Sequence, residues 1–438
     1  MLELLLPLHG IGGRGDLPVP LWLAIYSAGA AVAVSFFALA AFWSRPRFEV
    51  MTGRPLIAGT RIGDHRTTRG VLKLLGLAAL ALLLGAAWFG EREPSLNPAP
   101  TWLYVWIWVG IIPLSLICGP IWRFTNPLRT LAGLVRRTSY HPLPEAIAYW
   151  PAVAGLAGFL WLELAYPDGS DPLVVAIFVT TYAVVNVAAG IVYGPAWFGV
   201  GDSFEVYAEV LARLSPLGRG ADGRLELRNP LAGLATMPQQ PGIVGLLCLL
   251  LGSTAFDGIS RWSVWAGLTG ELGRTQHLVV YTLGLIGAVA IVTTLFLLAA
   301  RTTGAARIRP GAVGAAGLPG AFVHSLVPIA IGYAVAHYFS FAMFQGQAGV
   351  LLATDPFGRG WDLLGTSGER IDYAFLSTGF IAGVQIGAIV LGHVLGVVSA
   401  HDRAADLFRR RQLRRAQYPM LAAMVAFTAG GIALVTAS

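Results

Sequence analysis

The sequence predicts an all-α, polytopic transmembrane helix bundle. Three observations carry that prediction. The 438-residue chain is 55% hydrophobic and 12% charged, against about 25% charged in an average soluble domain. Its mean hydropathy is +0.66. Its apolar residues gather in stretches near or above the roughly 20 residues that cross a bilayer. A soluble globular protein is excluded. The formal charge of +7 is almost wholly arginine, Lys73 being the one lysine. In a membrane chain such charge is first a topology signal, not a nucleic-acid surface. Cys118 and Cys248 fall inside apolar stretches and read as small packing residues.

Ten spans are expected, at 21–43, 71–90, 102–122, 145–166, 172–194, 241–258, 278–300, 320–344, 372–400 and 416–436. Residues 1–438 read as one transmembrane domain with the lipid bilayer as its first partner. The N-terminal stretch lacks the basic region and cleavage site of a signal peptide, so the first span is expected to direct insertion. The intervening loops test the count. Loop 44–70 holds Arg45, Arg47, Arg54, Arg61, Arg66 and Arg69. Loop 123–144 holds Arg123, Arg129, Arg136 and Arg137, and 401–415 holds Arg403, Arg409, Arg410, Arg411, Arg414 and Arg415. Loops 195–240 and 301–319 also bear arginines, the latter Arg301, Arg307 and Arg309. The alternate loops are mixed, acidic or poor in charge, with Glu91, Arg92 and Glu93 in one, Asp168 and Asp171 in the next. The alternation is unbroken, so the span count is even and both termini are expected outside. Trp43, Trp88, Trp102, Trp106, Trp150, Trp161, Trp197, Trp262 and Trp265 fall at span ends, as an interfacial belt does.

Two inter-span segments exceed mere connection. Residues 198–233 read as a cytoplasmic insertion: an amphipathic helix capped by Asp202 and lying on the inner surface, then a short hairpin. Residues 345–371 read as a structured extracytoplasmic loop, rich in Gly and Asp. Span six breaks at Gly252, Ser253 and Thr254, which fits a discontinuous transporter helix, although span one has no matching break.

The chain has eight histidines, and two apolar stretches carry four of them: His324 and His337 in one, His393 and His401 in the other. An ionisable residue at mid-span costs about 2.5–3.5 kcal/mol on the insertion scale and tends to mark a function. His324 and His337 are 13 residues apart, ~20 Å along a helix, so they cannot share one metal. The topology sorts the set by depth. His324, His393 and His401 form an inner candidate metal group. His337 lies in the outer half, with Glu163 and Asp257 at the same depth. A histidine and two carboxylates suit a divalent metal or a proton relay. The bland alternatives stay open: packed histidines, an interfacial His401, a snorkelling Glu163, and Asp257 as a helix-ending turn residue.

Several stretches in order add a resemblance. FTNPLRTL (124–131), AYWPAVAGLAGFLWLELAYP (148–167), AFDG (255–258), VHSLVPIAIGYAVAHYFSFAMFQGQ (323–347), TDPFGRGWDLLGT (354–366) and GHVLGVVSAHDRA (392–404) resemble actinobacterial polytopic membrane proteins labelled fenitrothion hydrolase. The likeness runs from about residue 118 onward. It implies a multi-pass protein of the cell membrane that hydrolyses organophosphorus-type esters. Residues on the family's recurring pattern are Asp257, His324, His337, Gln345, Gln347, Asp355, Asp362, His393 and His401.

Three functions follow as expectations. In a membrane hydrolase, His337, Asp257 and Glu163 would be catalytic around one divalent metal, and Gln345, Gln347 and Asp355 would bind a small apolar substrate arriving from the bilayer. One histidine is few for a catalytic zinc. In a proton-coupled transporter, the same three residues would relay protons. In a haem b or copper redox protein, His324 and His393 would supply paired ligands.

Overall fold

The computed structural model describes residues 21–48, 52–135, 138–303, 313–409 and 412–437. The N-terminal stretch and Arg136, Arg137, Arg307, Arg309, Arg410 and Arg411 lie outside the described residues.

The principal helices are α1 (Leu21–Phe42), α2 (Arg66–Phe89), α3 (Ile111–Cys118, after a π-helical Trp102–Val109), α4 (Trp150–Leu164), α5 (Pro172–Tyr193), α6 (Ser203–Ala212), α7 (Ile243–Ser260), α8 (Arg274–Thr303), α9 (Leu326–Leu352), α10 (Thr378–Leu407) and α11 (Leu413–Ala437). Uniformly apolar runs form helices here because each backbone group must find its partner within the segment. Asp171 starts α5 by accepting from the Leu173 N–H at 2.7 Å, with Pro172 in the first turn where it loses no bond. Every expected span becomes helical. Nine are long and apolar enough to cross a membrane among the described residues. The fourth, α4, has 15 residues, about 22 Å, and is short of a full crossing. The chain is an all-α integral membrane bundle.

Close backbone contact sets the packing. α9 and α10 cross at Gly332 and Gly392, where a Cβ on Gly332 would stand 2.4 Å from the Ala388 carbonyl oxygen. Gly252 does not break α7, which runs unbroken to Ser260. Its missing side chain instead admits α8: a Cβ there would stand 2.5 Å from Val289 Cα. The expected discontinuity is therefore corrected to a packing contact.

The inserted segment is also corrected. α6 does not lie on a surface. Ser203, Phe204, Glu205, Val206, Tyr207, Ala208, Val210, Leu211 and Ala212 are all buried, so every face of it is covered. It returns into the bundle against α3 and α4. Trp108 stacks on Tyr207 at 4.5 Å, and Phe159 meets Phe204 edge-on at 5.2 Å. Gly155 leaves the space that Ser203 uses to donate to the Ala152 carbonyl at 2.9 Å. The hairpin is present as β2 (Leu217–Arg219) and β3 (Leu225–Leu227), while Pro230–Ala235 is a short helix rather than part of it. A third strand, β1 (Arg54–Pro55), pairs antiparallel with β3 and gives the order β1-β3-β2.

That sheet joins two arginine-bearing loops on one face. Arg219 and Arg69 both bind Asp64, at 2.7 and 2.6 Å. The 401–415 loop meets the same face: Asp402 accepts from the Arg47 N–H at 2.7 Å. The arginine-poor loops meet at the other end. Arg274 pairs with Asp168, Tyr104 donates to the Gly169 carbonyl at 2.7 Å, and Trp102 donates to the Gly349 carbonyl at 3.1 Å. The tryptophan belt holds in part. Trp88, Trp106, Trp150 and Trp262 are exposed, whereas Trp102 and Trp197 are buried in the core.

Candidate functional site: a buried histidine–carboxylate pair beside an apolar cavity

Asp257 sits in the last turn of α7, and Arg261 follows one turn later. Residues four apart on a helix face each other, and Arg261 Nη2 donates to Asp257 Oδ1 at 2.6 Å. The other carboxylate oxygen meets His337 Nε2 of α9 at 2.6 Å. Asp257 and His337 are 4% and 6% exposed, so the contact is sealed within the bundle. Two further rings hold His337: Tyr333 stacks at 6.2 Å and Tyr338 stands edge-on at 4.9 Å.

Glu163 of α4 reaches the same region. Its carboxylate lies within electrostatic range of Asp257 and Arg261. Its Oε2 is sealed from solvent and has no hydrogen-bond partner among the described residues. Tyr104, Tyr207 and Tyr338 all lie within electrostatic range of this carboxylate. The three residues expected at one depth thus occupy one neighbourhood. They do not form a metal cage: among the described residues, no three His, Cys, Asp or Glu side chains stand where they could hold an ion together. Asp257 already spends one oxygen on Arg261 and the other on His337. The residues present do not fit a three-ligand divalent site.

The inner candidate metal group is likewise corrected. His401 uses both ring nitrogens, Nδ1 with Gln417 Oε1 at 2.9 Å and Nε2 with the Trp43 carbonyl at 2.8 Å. It is a structural clamp between α10, α11 and the end of α1. His324 lies in a short 3-10 turn before α9 and borders a void of about 10 Å³ with Ser399, Asp402 and Arg403. His393 points elsewhere, into a cavity that His324 does not line. His324 and His393, the expected haem pair, thus line different cavities.

Two of the three expected substrate residues, Gln347 and Asp355, are loop builders. Gln347 lies within α9 and clamps Asp372, accepting from its N–H at 2.9 Å and donating to its carbonyl at 3.2 Å. The loop expected over 345–371 accordingly begins after Leu352, not at Gln345, which is also helical. Asp355 accepts from the N–H groups of Arg359 and Gly360 at 2.9 and 2.6 Å. Against a desolvation effect that pushes upward, those backbone donors, with Trp361 and Gly358, hold the Asp355 carboxyl below its usual range.

An apolar cavity of about 250 Å³ adjoins the pair, between α7, α8, α9, α10 and α11. Tyr333 and His393 supply its polar edge. Arg261 and Tyr333 escaped the sequence reading. The signal for each was spacing: Arg261 lies four residues after Asp257, and Tyr333 four before His337.

Comparison with protein-family models, with curated proteins and with solved structures gives no match.

Proposed function

We propose that this chain is a proton-coupled carrier of small apolar solutes in the cell membrane. Asp257, His337 and Glu163 take and release the proton. One observation carries the reading: Glu163, a partly buried residue whose Oε2 is sealed from solvent with no hydrogen-bond partner among the described residues, stands in the field of the Asp257–His337–Arg261 chain. An isolated charge in such surroundings costs far more than one in water, and the ordinary relief is a proton or a new partner. Any movement of α7 against α9 changes both choices at once, because Asp257 and His337 sit on opposite sides of that contact. An open cavity beside the chain gives a solute a place from which to bias the movement.

The test is proton movement in proteoliposomes carrying an internal pH dye. A panel of small apolar solutes is added under an imposed pH gradient. Solute-dependent alkalinisation of the donor side is expected, and Glu163→Gln and Asp257→Asn are expected to abolish it. No solute-dependent proton movement across the panel would falsify the carrier reading.

A second reading has its own support. The 2.6 Å contact of His337 with Asp257 is an acid–base pair of the kind that activates water, and the resemblance noted above implies ester hydrolysis. It ranks second because Gln347 and Asp355 are committed to the loop and, among the described residues, no three-ligand metal set exists for the phosphoryl group. Release of p-nitrophenol from a neutral nitrophenyl phosphotriester, lost in His337→Ala, would reverse the ranking.

A further inference from the structure

The cavity beside the pair is more selective than its apolar walls suggest. Ala255, Ile291, Leu295, Phe427 and Gly430 line it. Ile291 and Leu295 are 62% and 42% exposed on the outer surface of α8, so its mouth faces the bilayer. Tyr333 and His393 both line the cavity, and each carries a buried polar atom, the Tyr333 hydroxyl and His393 Nε2, with no hydrogen-bond partner among the described residues. His393 is 2% exposed and Tyr333 5%. Buried polar atoms are partnered in the great majority of cases, so two orphans on one cavity call for an explanation.

Local geometry sets what each orphan offers. His393 Nδ1 lies 2.8 Å from the Ile389 carbonyl oxygen, one turn back in α10. A carbonyl can only accept, so Nδ1 carries the hydrogen. Nε2 of the neutral ring is then an acceptor without a donor. The Tyr333 hydroxyl is a donor without an acceptor. The two side chains leave the backbone one residue past the crossing at Gly332 and Gly392, where a Cβ on Gly332 would stand 3.1 Å from Gly392 Cα. Tyr333 itself is fixed between α7 and α11: a Cβ on Gly258 would stand 3.3 Å from its hydroxyl and one on Gly431 3.3 Å from its ring. The cavity therefore presents one acceptor and one donor, both rigidly held, in an otherwise apolar wall.

We infer that this cavity binds a small apolar molecule bearing a hydroxyl, of the alkylphenol class, admitted from the bilayer. A hydroxyl both donates and accepts, and so matches the acceptor that His393 offers and the donor that Tyr333 offers. The 250 Å³ volume suits one substituted ring, since a dry cavity of roughly 150 Å³ admits benzene. The inference deepens the carrier reading and rests on it only in making this ligand the cargo.

The experiment is calorimetric titration of the full chain in nanodiscs, with empty nanodiscs as the partition control. The probes are 4-propylphenol, 4-propylanisole and propylbenzene. The anisole can accept from Tyr333 but cannot donate to His393. The expected order is phenol, then anisole, then propylbenzene, with at least tenfold between first and last. Tyr333→Phe should weaken the phenol by roughly threefold to tenfold, the worth of one hydrogen bond, and leave propylbenzene unchanged. Gly430→Leu should abolish binding of all three by filling the space, since a Cβ at Gly430 meets nothing within 4 Å. Equal binding of the three probes overturns the inference, as does phenol binding that survives Gly430→Leu. Phenol binding with no phenol-driven proton movement keeps the site and sinks the carrier. Proton movement driven equally by all three probes keeps the carrier and sinks the hydroxyl site.

Discussion

Two of the buried polar clusters among the described residues differ in whether their hydrogen bonds close. Around the start of α6, every oxygen is answered. Asp202 accepts from Tyr182 at 2.6 Å and from Asn126 at 2.8 Å, and caps Phe204 at 3.1 Å. Glu205 takes the Arg129 guanidinium on both oxygens and a further 2.7 Å bond from Asn126. Asn126 in turn accepts from the Leu128 N–H at 2.9 Å. None of these side-chain atoms is left over. Around Asp257 the accounting does not close: Glu163 Oε2, the Tyr333 hydroxyl and His393 Nε2 are buried and unanswered. A closed network rigidifies a fold, and an open one holds strain that a proton or ligand can relieve. Partner accounting, rather than depth in the membrane, separates the two.

The comparison breaks if the closed cluster proves dispensable. Glu205→Ala leaves Arg129 half-buried with no carboxylate and Asn126 short of an acceptor. The expected loss is about 3–5 kcal/mol, the range for breaking a buried pair from one side. Denaturant unfolding in detergent measures it. A loss under about 1 kcal/mol, typical of a surface pair, would mean that the network is not structural.

The open cluster should respond differently. His337→Ala removes one bond to Asp257 but leaves Arg261 in place, so the expected loss is about 2 kcal/mol, a charge-assisted hydrogen bond. Glu163→Met goes further: it deletes a buried oxygen with no partner and should raise stability by about 1 kcal/mol while abolishing solute-driven proton movement. A fall in stability on Glu163→Met would show that the carboxyl is held by something structural, and the contrast between the two clusters would fail.

The same contrast explains what was legible in the chain. Apolar length and arginine alternation located the ten helical stretches, because both act locally along the sequence. Depth arithmetic brought His337, Asp257 and Glu163 to one neighbourhood. α6 was misread because its polar residues look solvent-facing at helical spacing. Their partners, Asn126 and Arg129, lie 76 to 79 residues away, and no periodicity reports them. His401 was misread for the same reason, since Gln417 and the Trp43 carbonyl claim its two nitrogens from other helices. Gln347 and Asp355 looked like ligand groups because loop capping and ligand binding use the same residue types.

The smallest expected effect comes from a closed cluster outside the membrane, and it isolates what burial adds. Asp64 receives Arg219 and Arg69, as Glu205 receives Arg129, but its side chain is 35% exposed. Hydrogen bonds from Arg219 first and Arg69 second, helped by their charges and opposed by slight desolvation, lower its carboxyl to about 2. The unfolded carboxyl titrates near 3.9, so the folded value is the depressed one. The pair's contribution is then fully present above about pH 4 and is lost as pH falls toward about 2. Solvent screening limits it to less than about 1 kcal/mol, and salt should weaken it further. Unfolding of the parent and of Asp64→Asn, followed from pH 5 to pH 2 at low and high salt, reads the difference directly. The two curves should converge as the pH drops, and should start closer together in salt. A gap that persists at pH 2, or that ignores salt, would mean that Asp64 holds the β1–β2–β3 face by packing, not charge. If the gap does close, the same guanidinium–carboxylate chemistry will have been measured exposed and, through Glu205→Ala, buried. The ratio of the two then gives the share of the closed cluster's stability that burial supplies.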